Sequence, residues 1–405
     1  MKKFATVFFY LGTFATSFGS LLFVMCVPAF FLKSGYLAET IGIAIGIHRF
    51  SGIAAIAWFS PHIDKFNSKK IIYLTEIFAA VASIVLLAAW YYREEFGLSI
   101  FLAFIGVRAI SVGVQSTSRN RLIKLLSSDN LSREASFAIW LNKVTQGAHV
   151  LSALAAIPLV ATGNLYMAIA IDCLTFLVGG GSAMLLPDID SESEEKINIK
   201  RTNFITTISA FFKMHKTVFI QDMLLAVSVS GTILLMVKLS AGNSEYVIYF
   251  NLIFGICIWL SSIFAHNIKL RNYTAVYWVA IMVGYVLLIF YYNSGFRFVA
   301  YFIAYMGYWI LYHKYTVEIQ TKTPKDLIGA TMAARGLVIA ATLSVGELFG
   351  GYISRLIDIE FELGLRAAIC FFVLCGLWLL RHQTEKYKVI HDGISLENRT
   401  NDHDR

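Results

Sequence analysis

Charge is scarce in this chain: Asp, Glu, Lys and Arg together make up 15% of its 405 residues, against 57% for the apolar types. A chain of that length with so little charge cannot cover a water-facing surface, so a soluble globular class is excluded. Proline is also sparse, at five residues, and cysteine equally so. Cys26, Cys173, Cys257, Cys370 and Cys375 all sit in apolar runs, where a thiol behaves as a small hydrophobe. That placement argues against a disulfide framework and against a thiolate metal site. Missing too are a zinc-type His-Glu-x-x-His, a phosphate loop Gly-x-x-x-x-Gly-Lys and an acidic metal pair. No metal or cofactor is therefore expected, and a membrane enzyme or a non-transporting receptor finds little to support it.

What the sequence has instead is long apolar runs. Twelve of them cover residues 4–32, 37–59, 71–92, 98–118, 135–161, 165–186, 217–239, 246–268, 273–292, 296–317, 327–353 and 365–380. Each approaches the roughly 20 residues a helix needs to cross hydrocarbon. Backbone groups in lipid must bond within their own segment, so the runs are expected to be helices. The first follows Met1-Lys2-Lys3 as a signal peptide would, yet it exceeds the apolar core of about 7–15 residues typical of one and lacks a small-residue cleavage site. It is expected to stay as a span.

The positive charges are sorted between the gaps. Lys33, Arg93, Arg297 and Arg355 alone fall in one alternate set of loops, and Arg49, Arg108, Lys143, Lys238, Arg335 and Arg366 fall in or at the edge of runs. All the remaining Lys and Arg lie on the side that holds both chain ends. The positive-inside rule then makes both termini cytoplasmic in an all-α, multi-pass protein of the cell membrane. The net charge of +8 is topological bias of this kind and not a nucleic-acid footprint.

A long polar interruption with an acidic opening (Asp188, Asp190, Glu192, Glu194, Glu195) separates two sets of six runs. It predicts an N-terminal half over 1–187, a linker over 188–216, a C-terminal half over 217–381 and a disordered polar tail over 382–405. In the linker, Phe204, Ile205, Ile208, Phe211 and Phe212 recur at helical spacing. They suit either an amphipathic helix on the membrane surface or an early start to the seventh span.

The loop after the second run reads Ser60-Pro61-His62-Ile63-Asp64-Lys65-Phe66-Asn67-Ser68-Lys69-Lys70. It resembles the basic loop signature of the major facilitator superfamily, with Ser60 and Asn67 replacing its two glycines. Arg108 stands where that family carries an arginine in the fourth helix, and Gly147 retains the first glycine of its fifth-helix motif. The exit Gln115-Ser116-Thr117-Ser118-Arg119-Asn120-Arg121 and the run Ala170-Ile171-Asp172-Cys173-Leu174-Thr175-Phe176 are similar to the branch that contains the enterobactin exporter. The resemblance implies twelve helices in two six-helix halves around a midplane cavity. It also implies a cytoplasmic gate in which Asp64, with Lys65, Lys69 and Lys70 beside it, meets Arg119 or Arg121.

Ionised groups inside a bilayer are costly and mark candidate sites. Arg108 could clamp an anionic cargo group, pair with a titrating carboxylate, or act as a fixed hub between helices. Asp172 and Glu347 read as the only acids well inside the spans of their halves, and either could alternate its protonation. Glu347 is the expected coupling carboxylate, and Asp172 is equally readable as a structural acceptor. His48 and Arg49 are adjacent, about 100° apart on a helix, so one of them is expected to face the cavity. His48 is a possible proton relay or a bonded structural histidine. Lys143, His149 and Arg335 are weaker candidates, Lys143 and Arg335 being expected to reach the cytoplasmic side. Tyr301, Tyr305, Tyr308 and Tyr312 share one helical face that could line a cavity or pack within the bundle.

The expected function is secondary active efflux of a small amphipathic compound by proton antiport with alternating access. An antibiotic, a siderophore or a small toxic peptide such as a microcin would each suit, the last giving self-immunity. Proton-coupled uptake of a metabolite by symport is the competing reading. The expected partners are the cargo, protons and membrane lipid, and the carrier is expected to act as a monomer.

Overall fold

The computed structural model describes residues 2–63, 67–127, 131–186, 209, 212–265, 273–323 and 328–379. The helices are α1 (Lys2–Lys33), α2 (Ala38–Ile63), α3 (Ser68–Tyr91), α4 (Ser99–Ser127), α5 (Leu131–Thr162), α6 (Leu165–Met184), α7 (Lys216–Val229), α8 (Thr232–Leu239), α9 (Ser244–Ala265), α10 (Thr274–Tyr291), α11 (Arg297–Lys322), α12 (Ile328–Leu356) and α13 (Ile359–Leu379). A single turn, Arg93–Phe96, precedes α4. No strand occurs among the described residues. Residues 204–208 and the tail lie outside those described, as do Asp64 and Lys65.

Ten stretches are long and apolar enough to cross a membrane, with α7 and α8 together forming one, Lys216–Leu239. Neither α11 nor α12 is among the ten. In α11, Tyr301, Tyr305, Tyr308, Tyr312 and Tyr315 occupy places that aliphatic residues fill elsewhere. Two helices outrun their apolar stretches: α4 continues to Ser127 and α5 begins at Leu131. The backbone there keeps its helical bonds after the side chains have turned polar.

Helix ends use ordinary local chemistry. Asn67 accepts from the Lys70 amide at 3.2 Å to start α3, and Asn164 accepts from the Met167 amide at 3.0 Å to start α6. Lys33 donates to the last carbonyls of α5, Val160 and Ala161, at 3.1 and 3.2 Å. A cation at a helix C-terminus is favoured by the helix dipole.

Helices α1–α6 pack among themselves, α1 against α5 and α6, and α3 against α4 and α6. Helices α7–α13 form a second bundle, with α9 and α10 both against α11. The bundles meet chiefly through α2 on α12 and α5 on α9, with α1 touching α8 and α9. In lipid, such packing depends on close approach at small residues rather than on apolar burial. At Gly113 of α4 a Cβ would lie 2.4 Å from the carbonyl oxygen of Gly52 on α2.

The apolar clusters differ at the two ends. Where α1 ends, one cluster takes residues of both bundles: Phe30, Phe31, Ile45, Trp90, Phe101 and Val160 from the first, and Ile233, Leu234, Val237, Val247 and Ile248 from the second. Phe31, Trp90 and Phe101 stack within it at 5.3–5.9 Å. At the end where the chain starts, the cluster around Phe9, Ile72, Leu122 and Leu186 holds, among the described residues, those of the first bundle. The bundles are thus sealed together at one end.

Gly113→Ala should cost about 1–3 kcal/mol through overpacking, seen as a lower unfolding temperature in detergent. Gly147→Ala should be neutral or slightly stabilising, because a Cβ at Gly147 meets nothing within 4 Å.

Candidate functional site

A cavity of about 400 Å³ lies between the bundles, adjoining the common seal at Met25 and Ile233. Its wall takes Thr16, Ser17 and Ser20 from α1, His48 and Arg49 from α2, Arg119 from α4, Thr145 and His149 from α5, Thr232 from α8 and Asn251 from α9. Leu21, Val24, Met236 and Phe254 supply an apolar part. His48 and Arg49 both reach the wall, although their 100° separation favours only one of them. The cavity extends over more than one face of α2.

Two of the expected groups meet across the bundles. Arg49 Nη1 lies 3.3 Å from Glu347 Oε1, and the Glu347 side chain is fully buried. Glu347 also accepts from the Ile233 amide, in the first turn of α8, at 3.4 Å. That turn exists because the span Lys216–Leu239 breaks at Ser230 and Gly231, with Gly231 in the left-handed region at φ 70°. Gly346 allows α12 to press on the break, since a Cβ there would fall 2.2 Å from Ser230 Cβ. On the other side of the break Arg366 donates to the carbonyls of Ser228 and Ser230, at 2.8 and 2.6 Å. Glu362 in turn accepts from Arg366 at 2.7 Å and from Lys238 at 2.9 Å. A carboxylate faces the amides that open α8 and a guanidinium faces the carbonyls that close α7, both with the sign that helix dipoles favour.

Arg108 and Asp172 form a different unit. Arg108 donates from Nε and Nη2 to the two carboxylate oxygens at 2.7 and 2.6 Å, and Ser83 adds a third bond at 2.9 Å. The guanidinium carbon lies 4.5 Å from the Phe23 ring centroid and 5.2 Å from that of Phe176. Both charged side chains are fully buried, and neither is part of the cavity wall. This geometry suits a brace holding α4 on α6.

Asp172 and Glu347 are not the only acids buried in spans, contrary to the sequence reading. Glu76 of α3 is fully buried and accepts from Arg119 at 2.5 Å and from Thr16 at 2.9 Å. Asp222 of α7 is buried and forms a two-point pair with Arg335. Arg335 also donates to Thr316 at 2.5 Å and is buried within the second bundle. Glu76 and Asp222 each lie five residues inside an apolar run, a signal that the burial rule for charges would have caught.

On α11, Tyr301, Tyr305 and Tyr308 are buried in the core of the second bundle. Tyr305 donates to Thr232 at 3.0 Å, and Phe254 meets its ring edge-on at 5.5 Å. Tyr305 thus stands one residue behind the cavity wall, and neither it nor Tyr308 is part of that wall. Lys143 holds its ammonium 5.0 Å from the Trp140 ring centroid. Of the expected gate, Lys69 and Lys70 sit in the first turn of α3 and Arg119 is committed to Glu76. The Arg121 side chain, with Asp64 and Lys65, is outside the described residues. No group of three or more His, Cys, Asp or Glu among the described residues is arranged to hold a metal ion.

Neither a protein-family model nor a curated protein matches the chain. Solved structures do. A mutant form of the nucleoside transporter NupG superposes with a TM-score of 0.70 at 13% identity, over 93% of this chain and 99% of that one. The D-xylose–proton symporter gives 0.68 at 12%, over 92% and 96%. A bacterial homologue of the iron transporter ferroportin, inward-facing, gives 0.66 at 15%, over 92% and 97%. The fold is therefore that of these solved transporters, all-helical with ten helices of membrane-crossing length among the described residues.

Asp172→Asn should strand the Arg108 charge and cost about 3–5 kcal/mol, whereas the double change Arg108→Leu with Asp172→Leu should recover much of that loss. Thermal unfolding of the two variants in one detergent provides the comparison.

Proposed function

We propose that the protein is a secondary active transporter that exports a small amphipathic compound from the cytoplasm in exchange for protons. The observation that carries this reading is the cavity. It lies between two bundles and is closed at one end by an apolar cluster common to both, and Arg49 on its wall pairs with the buried Glu347 of the other bundle. The sorting of Lys and Arg supports twelve spans in two halves with cytoplasmic termini. The sealed end is then external, and the carrier is poised to load from the cytoplasm. Rocking the bundles to the outward-open state must open the seal and rearrange the pair that joins them. Protonation of Glu347 would weaken its hold on Arg49, which makes it the coupling carboxylate of this proposal. Arg108, with Asp172, keeps the first bundle rigid while it moves, and Arg119 with Lys69 and Lys70 belongs to the cytoplasmic gate.

A second reading, proton-coupled uptake, draws on the likeness to a D-xylose–proton symporter. The two differ in direction. A sensitive bacterial host expressing the protein should resist one member of a panel of antibiotics, siderophores and peptide toxins. Its intracellular accumulation of that compound should fall, and an uncoupler should abolish the protection. Uptake by intact cells, with no accumulation in everted vesicles, would replace export by import. Glu347→Gln should lower proton-driven export at least about tenfold while leaving cargo counterflow measurable, as expected when a group serves coupling rather than the path itself.

A further inference from the structure

The charged groups on the cavity wall all have one sign among the described residues. Arg49 and Arg119 line the cavity, while Glu347 and Glu76, which neutralise them, are fully buried and form no part of the wall. A cargo in the cavity meets guanidinium groups, in surroundings where water screens charge poorly.

Arg49 is also the less committed of the two. Its side chain is 27% exposed, and although Nη1 lies within ion-pair distance of Glu347 it has no aligned hydrogen-bond partner. By contrast, Arg108 and Arg335 are held by two-point bonds to their carboxylates. Three further buried polar atoms on the same wall lack partners: Ser20 Oγ, His48 Nδ1 and His149 Nε2. Buried polar atoms without partners are uncommon in folded proteins, and several gathered around one cavity call for a ligand or water to bond them. Leu21, Val24, Met25, Met236 and Phe254 complete the wall with apolar surface.

We infer that the cargo is an organic carboxylate with an apolar body, its carboxylate seated on Arg49 beside His48 and Ser20, its body against Val24, Met236 and Phe254. This deepens the transport reading and rests on it. Arg49 offers a planar fork that matches a carboxylate at two points. The same guanidinium joins the bundles through Glu347, so the cargo carboxylate competes with Glu347 for one partner. Loading therefore loosens the contact between bundles, and the Glu347 carboxylate is left with the amides that open α8. A cationic cargo would have to displace nothing and would face two like charges.

The test uses the full-length protein in detergent and three probes of one shape: naphthalene-1-acetate, its neutral amide, and 1-naphthylmethylamine, titrated by calorimetry. The carboxylate should bind at least about tenfold more tightly than the amide, the range expected of a charge-assisted bond, and the amine should bind weakest. Arg49→Gln should erase the preference, and Arg49→Lys should keep part of it. Glu347→Gln should tighten carboxylate binding, because the internal competitor is weakened. That gain of binding keeps the inference testable even if Arg49→Gln fails to fold. Equal binding of carboxylate and amide, preference for the amine, binding of none of the three, or no gain in Glu347→Gln would overturn it. Counterflow in proteoliposomes separates the two readings. Carboxylate binding without flux would sink transport and leave the site. Flux of the amine without carboxylate binding would sink the anion and leave transport.

Discussion

Pairing of buried charge is the constraint on which this structure depends. In hydrocarbon an unpaired guanidinium or carboxylate costs several kcal/mol even after relaxation, and Arg49, Arg108, Arg119, Arg335 and Arg366 each have an acid beside them. The pairs are distributed by seam: Arg108 and Asp172 join α4 to α6, Arg119 and Glu76 join α4 to α3, and Arg335 and Asp222 join α12 to α7. Glu362 gathers Lys238 and Arg366 where α8 meets α13. Each of these stays inside one bundle and ties its helices together. Arg49 and Glu347 differ, being the described ion pair that crosses between bundles.

Rigid bundles and a breakable joint are what a rocking carrier needs, and the glycines serve the same division. Gly113 lets α4 lie against α2 inside the first bundle, while Gly346 seats α12 against the broken span of the second. Close packing of this kind has few intermediate arrangements, so motion is expected at the interface between bundles rather than within them.

Much of this architecture is legible in the residues. Ten of the apolar runs reappear as membrane-length helices, and Arg49, Glu347 and His48 are marked by their charge or titratability inside such runs. Which charges face each other is not legible. A span that is apolar around its whole circumference carries no stripe to show its inner face, so the pairing of Arg335 with Asp222, 113 residues apart, has no local sign. The break at Ser230 and Gly231 is hidden for a similar reason: no proline marks it, and the apolar run continues through it. The tyrosine face of α11 is visible as a face, but its direction, into the second bundle's core, is a property of the packing.

The eight residues of α8 are the second piece of a broken span, and their place is fixed from other helices. Its shape is borrowed: a carboxylate at one end, Lys238 tied to Glu362 at the other, and the seal residues of the first bundle along its side. Under the transport proposed above, freeing those ties would let this short segment shift as one piece of a broken span, so the sealed end of the cavity is closer to a clasp that lets go than to a lever that bends.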